Sequence, residues 1–372
     1  MISKDIKEKA KDIKIAKFRG GDFVERQQGQ SYFENLFQAW PNQITFYYGP
    51  KSSGKTTLLE KIRESFLKSK KKNDLSFFWY ELREQSFTSY KKILPILFPL
   101  QSGKDKKMKR DIHLFQISRP ERDKLQSGEI LPYQIMNDRI DRECKKNKKV
   151  IIVIDELQSL KGIYLDDNNL FNELLNYFVR LTKVEHKASV ILVTSDAHFI
   201  EDLFKNSRLE GCSDYFFLDF LNEAEVYSWL SRLKFKDNEI ELIWEKVGGY
   251  SWLLMQIILR KKQNGDWKKV IKDSILQARS KIVSAVNQIE EESLKSKIMV
   301  FLKKIFKEKG EMNLAFGSFD RKVLDYLVDN EIIFYDPVNV MIKLQFKHYL
   351  TALEQTLDGY KEKPEEEDWF PD

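Results

Sequence analysis

The chain has 372 residues, of which 42% are hydrophobic, and its 63 Lys and Arg against 57 Asp and Glu leave a formal net charge of +6. This length suffices for two or three domains, and the apolar content excludes a chain that is disordered throughout. Two cysteines and four scattered histidines give no disulfide framework or metal pattern, and no apolar run approaches the roughly 20 residues of a membrane span. Because the lysine-rich amino terminus lacks the apolar segment of a secretion signal, we expect a soluble, cytoplasmic protein.

The first half of the chain predicts an α/β core. Residues 1–17 predict either a short amphipathic packing helix or a frayed arm. From about 18 to 220, short apolar segments alternate with amphipathic ones, a pattern typical of a parallel sheet covered by helices. Five segments rich in β-branched and aromatic residues predict the strands: Gln43–Tyr48, Leu75–Glu81, Lys149–Ile154, Ser189–Thr194 and Tyr215–Leu218. A long polar stretch over about 90–135 lies between the second and third predicted strands, and the charged run 102–111 at its centre predicts a mobile surface insertion.

The second half predicts helices and a small terminal module. Residues 221–295 predict successive helices, several of which begin near an Asn or Asp. Residues 296–357 predict two helices, a hairpin with its turn at 335–339 and a last helix, which is the order of a winged-helix module. The tail 358–372 is rich in acidic residues and is predicted to be disordered.

The strongest local signal is a phosphate-binding motif between the first predicted strand and a predicted helix. The run from Gly49 to Thr56 matches G-x-x-x-x-G-K-[ST]. Glycines let the backbone N–H groups surround phosphate oxygens, and the start of a helix adds its positive dipole end. We therefore expect Lys55 to contact the β- and γ-phosphates of a nucleoside triphosphate and Thr56 to bind Mg²⁺. The residues expected to line the nucleotide are Gly49, Pro50, Lys51, Ser52, Ser53, Gly54, Lys55, Thr56 and Thr57.

A second signal is the acidic pair that follows the third predicted strand. Asp155 and Glu156 end an apolar run, which places both carboxylates at the carboxyl edge of a parallel sheet, where such sheets bind ligands. Asp155 is expected to bind the metal, and Glu156 to orient and polarise the attacking water. By itself the pattern is also that of an ordinary strand that ends in a solvated turn. Its combination with the phosphate motif favours the catalytic interpretation.

Two further positions are weaker candidates for catalysis. Thr194 or Ser195 leaves the fourth predicted strand beside the expected γ-phosphate, where a hydroxyl group senses the nucleotide or holds the water. Turn chemistry at the end of a strand explains the same residues equally well. Arg208, between the fourth and fifth predicted strands, is placed to stabilise transition-state charge within the chain or across a subunit interface. A surface ion pair is at least as good an explanation of Arg208.

These motifs, taken in order, resemble those of the archaeal-type ATPase family, a branch of the AAA+/STAND P-loop ATPases. The segments that carry the resemblance are FVERQ (23–27), GPKSSGKTTLL (49–59), FFWYELRE (77–84), VIIVIDELQSL (150–160), GGYS (248–251) and LVDNEIIF (327–334). The resemblance implies a RecA/AAA+-like core with a parallel five-stranded sheet between helices, then a helical lid and a winged-helix domain. It also implies ATP and Mg²⁺ as ligands.

Three positions depart from the family pattern. Gln27 replaces the usual acid after Arg26, and Ser251 replaces the proline of the lid turn. Because that turn helps to sense nucleotide in the family, the coupling between lid and ATP is in question in this chain. Gly211-Cys212 stands where the family often has Gly-Arg, which leaves Arg208 as the nearby arginine candidate.

Three functions remain open from the sequence. The first is an ATP-driven switch that acts on a protein partner, and the second is a DNA-associated ATPase, similar to replication initiators, that uses its winged helix on duplex DNA. The nine Lys/Arg and eight Asp/Glu of 296–357 give no basic surface there, which favours a protein partner. The third, a module that binds ATP without turnover, is disfavoured because Lys55, Thr56, Asp155 and Glu156 are all present. Self-association and a preference for ATP over GTP are left open by the motifs.

Overall fold

The computed structural model of the chain describes residues 2–69, 74–82, 90–101, 115–165, 168–314 and 319–361. Within these ranges, every helix is too short or too polar to cross a membrane. The chain divides into two compact units. The sheet unit comprises Arg26–Gly49 and Gly54–Leu218, and the helical unit comprises Met1–Glu25, Pro50–Ser53 and Asp219–Asp372.

The secondary-structure elements are numbered in chain order through both units. The strands are β1 (Ile15–Phe18), β2 (Gly21–Val24), β3 (Ile44–Tyr48), β4 (Leu75–Glu81), β5 (Lys149–Asp155), β6 (Tyr164–Leu165), β7 (Asn168–Asn169), β8 (Ala188–Thr194), β9 (Ser213–Phe217), β10 (Glu311–Asn313), β11 (Ile333–Asp336) and β12 (Met341–Leu344). The α-helices are α1 (Lys4–Lys11), α2 (Gln27–Gln38), α3 (Lys55–Lys68), α4 (Tyr90–Leu97), α5 (Arg119–Gln126), α6 (Pro132–Cys144), α7 (Leu170–Val179), α8 (Ala197–Phe204), α9 (Glu223–Arg232), α10 (Asp237–Val247), α11 (Ser251–Lys262), α12 (Trp267–Asn287), α13 (Glu292–Lys307), α14 (Arg321–Asp329) and α15 (His348–Lys361).

The sheet unit is built on a five-stranded parallel sheet in the order β4-β5-β8-β3-β9. All residues of β3 and β8, and all but the first of β5, are buried, as expected for strands with helices on both faces. The predicted fold class is therefore confirmed, and each predicted strand differs from the observed one by at most two residues at either end.

The flanks of the predicted insertion are part of the core of this unit. Phe115 stacks on Phe78 of β4 with 4.4 Å between ring centroids, and its backbone N–H donates to the Tyr80 hydroxyl oxygen at 2.7 Å. The Tyr80 hydroxyl in turn donates to the Leu97 carbonyl at the end of α4. The polar composition of 90–135 concealed these few apolar residues, which cover β4. The charged run 102–111 lies outside the described residues.

The helical unit begins with an element that the sequence did not predict. After α1, strands β1 and β2 form an antiparallel hairpin in which Ile15 faces Val24. The two turn residues, Arg19 and Gly20, both have positive φ angles (49° and 81°), as a two-residue hairpin turn of this kind requires. Residues 18–25 belong to the helical unit, whereas the sequence analysis placed a domain boundary between residues 17 and 18. The position of that domain boundary stays a prediction.

Helices α9 to α12 follow, as predicted for 221–295. Asn222 accepts a hydrogen bond from the backbone of Glu225, and the Glu225 side chain accepts one from the Asn222 N–H, so a capping box starts α9. After α13, the chain forms β10, α14 and the hairpin β11–β12, with a three-stranded antiparallel sheet in the order β10-β12-β11. This is the element order typical of a winged helix. The short strand β10 was not predicted because it has only three residues.

Candidate nucleotide-binding site at the carboxyl edge of the sheet

The loop between β3 and α3 has the backbone that the phosphate motif predicts. Gly49 has a φ of 153° and Gly54 a φ of 97°, both in the region that favours glycine. A Cβ atom at Gly49 would lie 2.1 Å from the Leu218 carbonyl oxygen, so no side chain fits there. Within the loop, the Ser53 N–H donates to the Pro50 carbonyl at 3.2 Å. Helix α3 begins with the bond from Leu58 N–H to the Gly54 carbonyl, and its first N–H groups have no intrahelical acceptor.

The side chains of the loop fit an anionic ligand. The Lys55 ammonium group is buried and donates to the Gly49 carbonyl oxygen at 3.0 Å, which places its charge against the loop backbone. The Ser53 hydroxyl oxygen is also buried, and it has no hydrogen-bond partner in the described part of the chain. A buried hydroxyl without a partner costs free energy unless a ligand or water satisfies it. Both observations fit a site that holds phosphate oxygens.

Thr56 and Asp155 meet although they are 99 positions apart. The Thr56 hydroxyl donates to Asp155 Oδ2 at 2.6 Å, and Asp155 is 1% exposed. Asp155 is the last residue of β5, which the sheet order separates from β3 by one strand, β8. No group of three or more His, Cys, Asp and Glu side chains suited to a metal ion occurs among the described residues. One carboxylate and one hydroxyl are instead the ligand set of a Mg²⁺ ion that takes its other ligands from phosphates and water.

Glu156 belongs to a chain of hydrogen bonds that the sequence did not predict. Its backbone has a φ of 63°, a strained conformation for a non-glycine residue, at the start of a short 3-10 helix over Leu157–Leu160. Gln158 donates to a carboxylate oxygen of Glu156 and accepts from the Thr194 hydroxyl at 2.9 Å. The Asp196 N–H donates to the same hydroxyl at 3.0 Å. Gln158 therefore joins Glu156, after β5, to the end of β8. The sequence offered one signal for this role, which is that Gln158 lies two residues after Glu156 in the motif IDELQ.

Of the weaker candidates, Thr194 takes part in these contacts, whereas Ser195 and Arg208 do not. Ser195 is half-buried directly after β8, and the hydrogen bonds at this strand end are made by Thr194 instead. Arg208 is exposed in a short 3-10 helix, Ser207–Leu209, which precedes β9. Its backbone N–H is capped by the Asn206 side chain at 3.1 Å. The side chain of Arg208 makes no ion pair with an acid in the described ranges.

The middle of the phosphate loop, Pro50–Ser53, belongs to the helical unit and is bonded to it at two points. The Ser251 hydroxyl donates to the Ser52 carbonyl at 3.2 Å, at the residue where the family has proline. Lys51 Nζ lies 3.0 Å from Glu331 Oε1, and Lys281 Nζ lies 3.4 Å from Oε2 of the same residue. Partial burial raises the pKa of Glu331, but the hydrogen bond and charge of Lys51, together with Lys281, outweigh it and lower that pKa below its ordinary value.

The fold and this loop define a P-loop ATPase domain followed by a helical region, and comparisons with known proteins agree. Residues 23–257 match the model of an ATPase domain found predominantly in Archaea. Residues 268–357 match the C-terminal domain of a family of uncharacterized ATP-binding proteins similar to MJ1010. The chain therefore belongs to the family of archaeal ATPase domains, as the sequence motifs indicate.

Relatives of the same kind cover nearly the whole chain. The uncharacterized ATP-binding protein MJ1006 of Methanocaldococcus jannaschii is 33% identical over 335 residues, which cover 86% of this chain and 90% of that protein. PYRAB09480 of Pyrococcus abyssi, also named an uncharacterized ATP-binding protein, is 28% identical and covers 90% of this chain and 99% of its own. Among solved structures, the Walker-type ATPase PABY2304 of Pyrococcus abyssi has a similar fold, with a TM-score of 0.57 at 14% identity over 89% of this chain and 95% of that one.

Proposed function

We propose that the protein binds ATP with Mg²⁺ at the loop 49–56, hydrolyses it slowly, and serves as a nucleotide-driven switch for a protein partner. The hydrogen bond between Thr56 and Asp155 carries the ATPase part of this proposal, because it brings the two predicted metal ligands into contact. The relatives MJ1006 and PYRAB09480 are both named ATP-binding proteins, which supports ATP as the nucleotide.

Each residue of the site has a defined role in this proposal. The loop N–H groups and Lys55 bind the phosphates. Thr56 and Asp155 would hold Mg²⁺, which would supply positive charge against the phosphoryl oxygens. Glu156 holds the attacking water and accepts its proton. Gln158 orients the Glu156 carboxylate and links it to Thr194, so that the end of β8 and the water-binding carboxylate move together. The exposed Arg208 stabilises transition-state charge in this scheme, in cis or in trans, and Ser195 helps to place the water.

The switch part rests on the two bonds that hold the middle of the loop within the helical unit. A phosphate that enters the loop competes with Glu331 for the ammonium group of Lys51, since both are anions. The phosphate also attracts the backbone N–H groups next to the Ser52 carbonyl, and this carbonyl accepts a hydrogen bond from the Ser251 hydroxyl. Nucleotide binding then weakens these bonds and changes how the helical unit holds the loop. A protein partner that binds the helical unit would respond to this change.

Contact of the winged-helix region with duplex DNA is the alternative, and the charges there do not favour it. Arg321, at the start of α14, pairs with Asp325 at 2.7 Å, and Lys297 pairs with Asp320 at 2.7 Å. Lys343 of β12 pairs with Asp219. Basic side chains that are engaged with acids of the same unit add little to the electrostatic attraction on which DNA binding depends.

The ATPase proposal is tested with the variants Lys55→Ala and Glu156→Gln. Lys55→Ala should weaken the affinity for a fluorescent ATP analogue about ten- to a hundredfold, because a charge-assisted contact is lost. Glu156→Gln should bind the analogue as tightly as the original chain but lose phosphate release about a hundredfold or more. Both measurements are made with Mg²⁺ and again with excess EDTA, which should abolish turnover.

Two matched variants serve as controls. Lys68→Ala alters an exposed lysine at the end of α3, and Glu81→Gln alters an exposed carboxylate at the end of β4, beside Asp155 in the sheet register. Both should bind and hydrolyse ATP normally. Unchanged affinity in Lys55→Ala would overturn the phosphate site, and full turnover in Glu156→Gln would assign the water to another group.

A further inference from the structure

The opposite edge of the sheet, where the strands begin, is strongly basic. Three segments enter neighbouring strands there: 38–43 before β3, 141–149 before β5 and 180–187 before β8. Together they carry eight Lys and Arg against three Asp and Glu. Their net charge of +5 compares with +6 for the whole chain, so the other segments are close to neutral as a set. We call these 23 residues the amino-edge surface.

Hydrogen bonds between the three segments make this surface one structure. His186 Nδ1 donates to the Pro41 carbonyl at 2.6 Å, although its backbone has the unfavourable φ of 51°. Lys149 donates to the Gln38 carbonyl, and the Cys144 thiol contacts the Lys187 carbonyl at 3.6 Å. The three segments that carry the charges are therefore held next to one another by the fold, and they are not independent loops.

The acids of the amino-edge surface are all engaged, but half of its bases are not. Asp141 pairs with Lys187, Glu143 with Lys146 and Lys148, and Glu185 with Arg180 and Lys187. The basic residues without an acidic partner in the described ranges are Arg142, Lys145, Lys149 and Lys183. All four are exposed.

The same surface carries an exposed aromatic side chain. Trp40 is 72% exposed, and its ring centroid is 5.8 Å from that of His186. Exposure of this apolar ring to water is unfavourable, and a partner that covers the ring would remove that cost. Exposed aromatic rings among lysines are the arrangement by which proteins bind single-stranded nucleic acid, since every base stacks on a ring while lysines contact the phosphates.

We propose that the amino-edge surface binds single-stranded nucleic acid, with a base stacked on Trp40 and backbone phosphates held by Lys145, Lys149 and Lys183. An acidic protein segment would satisfy the lysines, but a stretch of carboxylates offers no flat ring for Trp40. The surface is at the sheet edge opposite the phosphate loop, so this binding is separate from the proposed ATPase activity.

The test is fluorescence anisotropy of the full chain with labelled 20-nucleotide oligothymidylate and oligouridylate, at 50 to 200 mM salt. Trp40→Ala should weaken the affinity for both probes about tenfold or more. The double variant Lys145→Glu/Lys183→Glu should also weaken it, and should reduce the slope of log affinity against log salt by about 1.4, from about 0.7 for each of two lost phosphate contacts. A difference between the two probes tells DNA from RNA as the preferred strand.

Matched controls distinguish this surface from nonspecific attraction. Trp252→Ala removes another exposed tryptophan (55%), and Lys268→Glu/Lys269→Glu reverses two exposed lysines of α12. Both should bind the oligonucleotides normally, and Trp40→Ala should bind the ATP analogue normally, which shows that it is folded. The proposal is overturned if the original chain does not bind either probe at 50 mM salt, if Trp40→Ala binds like Trp252→Ala, or if polyglutamate binds this surface and the oligonucleotides do not.

Discussion

The two edges of one parallel sheet differ in how their side chains are brought together. At the carboxyl edge, a single loop of eight residues supplies two glycines, a buried lysine and the Thr56 hydroxyl, and β5 adds Asp155. At the amino edge, the same strands are entered by segments that lie more than 100 positions apart between Trp40 and Lys145. The phosphate loop of the first site is local in the sequence and depends on backbone shape, and β5 adds Asp155 from 99 positions away. The second site depends on strand order and on the sum of many charges.

This difference leads us to expect that the carboxyl edge is sensitive to single substitutions in its loop, whereas at the amino edge only Trp40 is, because its charged residues act as a sum. Gly49→Ala should have the largest effect, because its Cβ would lie 2.1 Å from the Leu218 carbonyl and its φ of 153° disfavours a side chain. We expect loss of ATP-analogue binding and a fall in the free energy of unfolding of about 1–3 kcal/mol or more. Urea denaturation and analogue titration measure the two effects.

Substitutions at two other glycines distinguish the effect of the close contact at Gly49 from the effect of its positive φ. Gly54→Ala and Gly128→Ala both place alanine at positive φ (97° and 78°), and their Cβ atoms would meet no atom within 4 Å. Gly54→Ala should weaken analogue binding through the backbone of the loop, and Gly128→Ala should leave binding unchanged at a similar cost in stability. If Gly49→Ala were as stable as Gly128→Ala and bound ATP, the close approach at the carboxyl edge would not be essential.

The local character of the phosphate loop also explains what the sequence was able to predict. The phosphate motif and the acidic pair fix both chain position and chemistry, and Thr56 and Asp155 do meet in the structure. The roles of Lys55, Thr56 and Asp155 in binding nucleotide and metal stay predictions. The link from Glu156 through Gln158 to Thr194 was missed, since it depends on which strand lies beside β5. The proposed catalytic roles of Ser195 and Arg208 stay predictions.

The amino-edge surface was beyond prediction for the same reason. Its lysines appear in the sequence as ordinary charged loops, and Trp40 appears as one aromatic residue near a strand. Only the order β5-β8-β3 brings the three segments side by side. The β1–β2 hairpin and β10 were missed because strands of three or four residues carry little periodicity.

A smaller effect is expected at the middle of the phosphate loop, where Lys51 pairs with Glu331. Glu331→Gln removes the charge that holds Lys51, and we expect the affinity for the ATP analogue to rise by no more than about fivefold. The limit follows from exposure, since ion pairs of this kind contribute about 0–1 kcal/mol. Adding Lys51→Ala should abolish the gain, and Glu311→Gln, an exposed acid on β10, should show none. A gain that survives Lys51→Ala would mean that Glu331 acts by another route.

Glu143→Gln at the amino edge is expected to have the smallest effect on ligand affinity, and its effect on stability depends on pH. Burial of the carboxyl group opposes ionisation, but the hydrogen bond from Lys146 and the ion pair with Lys148 outweigh it and lower the pKa of Glu143 to about 2. Since the ordinary pKa is 4.5, the stabilisation from this carboxylate is complete above pH 4.5 and is lost as the pH falls toward 2. The difference in urea midpoint between the original chain and Glu143→Gln should therefore be largest at pH 7 and should shrink between pH 5 and pH 3.

The same variant also tests whether the amino edge acts through summed charge. Glu143→Gln raises the net charge of the amino-edge surface by one and releases Lys146 and Lys148 from their acidic partner. Oligonucleotide affinity at 50 mM salt should rise modestly, and the gain should fade at 200 mM salt because added ions screen it. Glu129→Gln, which breaks the exposed pair with Lys124 elsewhere in the sheet unit, should change neither the pH dependence nor the affinity. A loss of oligonucleotide affinity in Glu143→Gln would instead mean that this carboxylate positions the lysines, so that the amino edge, like the carboxyl edge, depends on a fixed arrangement of side chains.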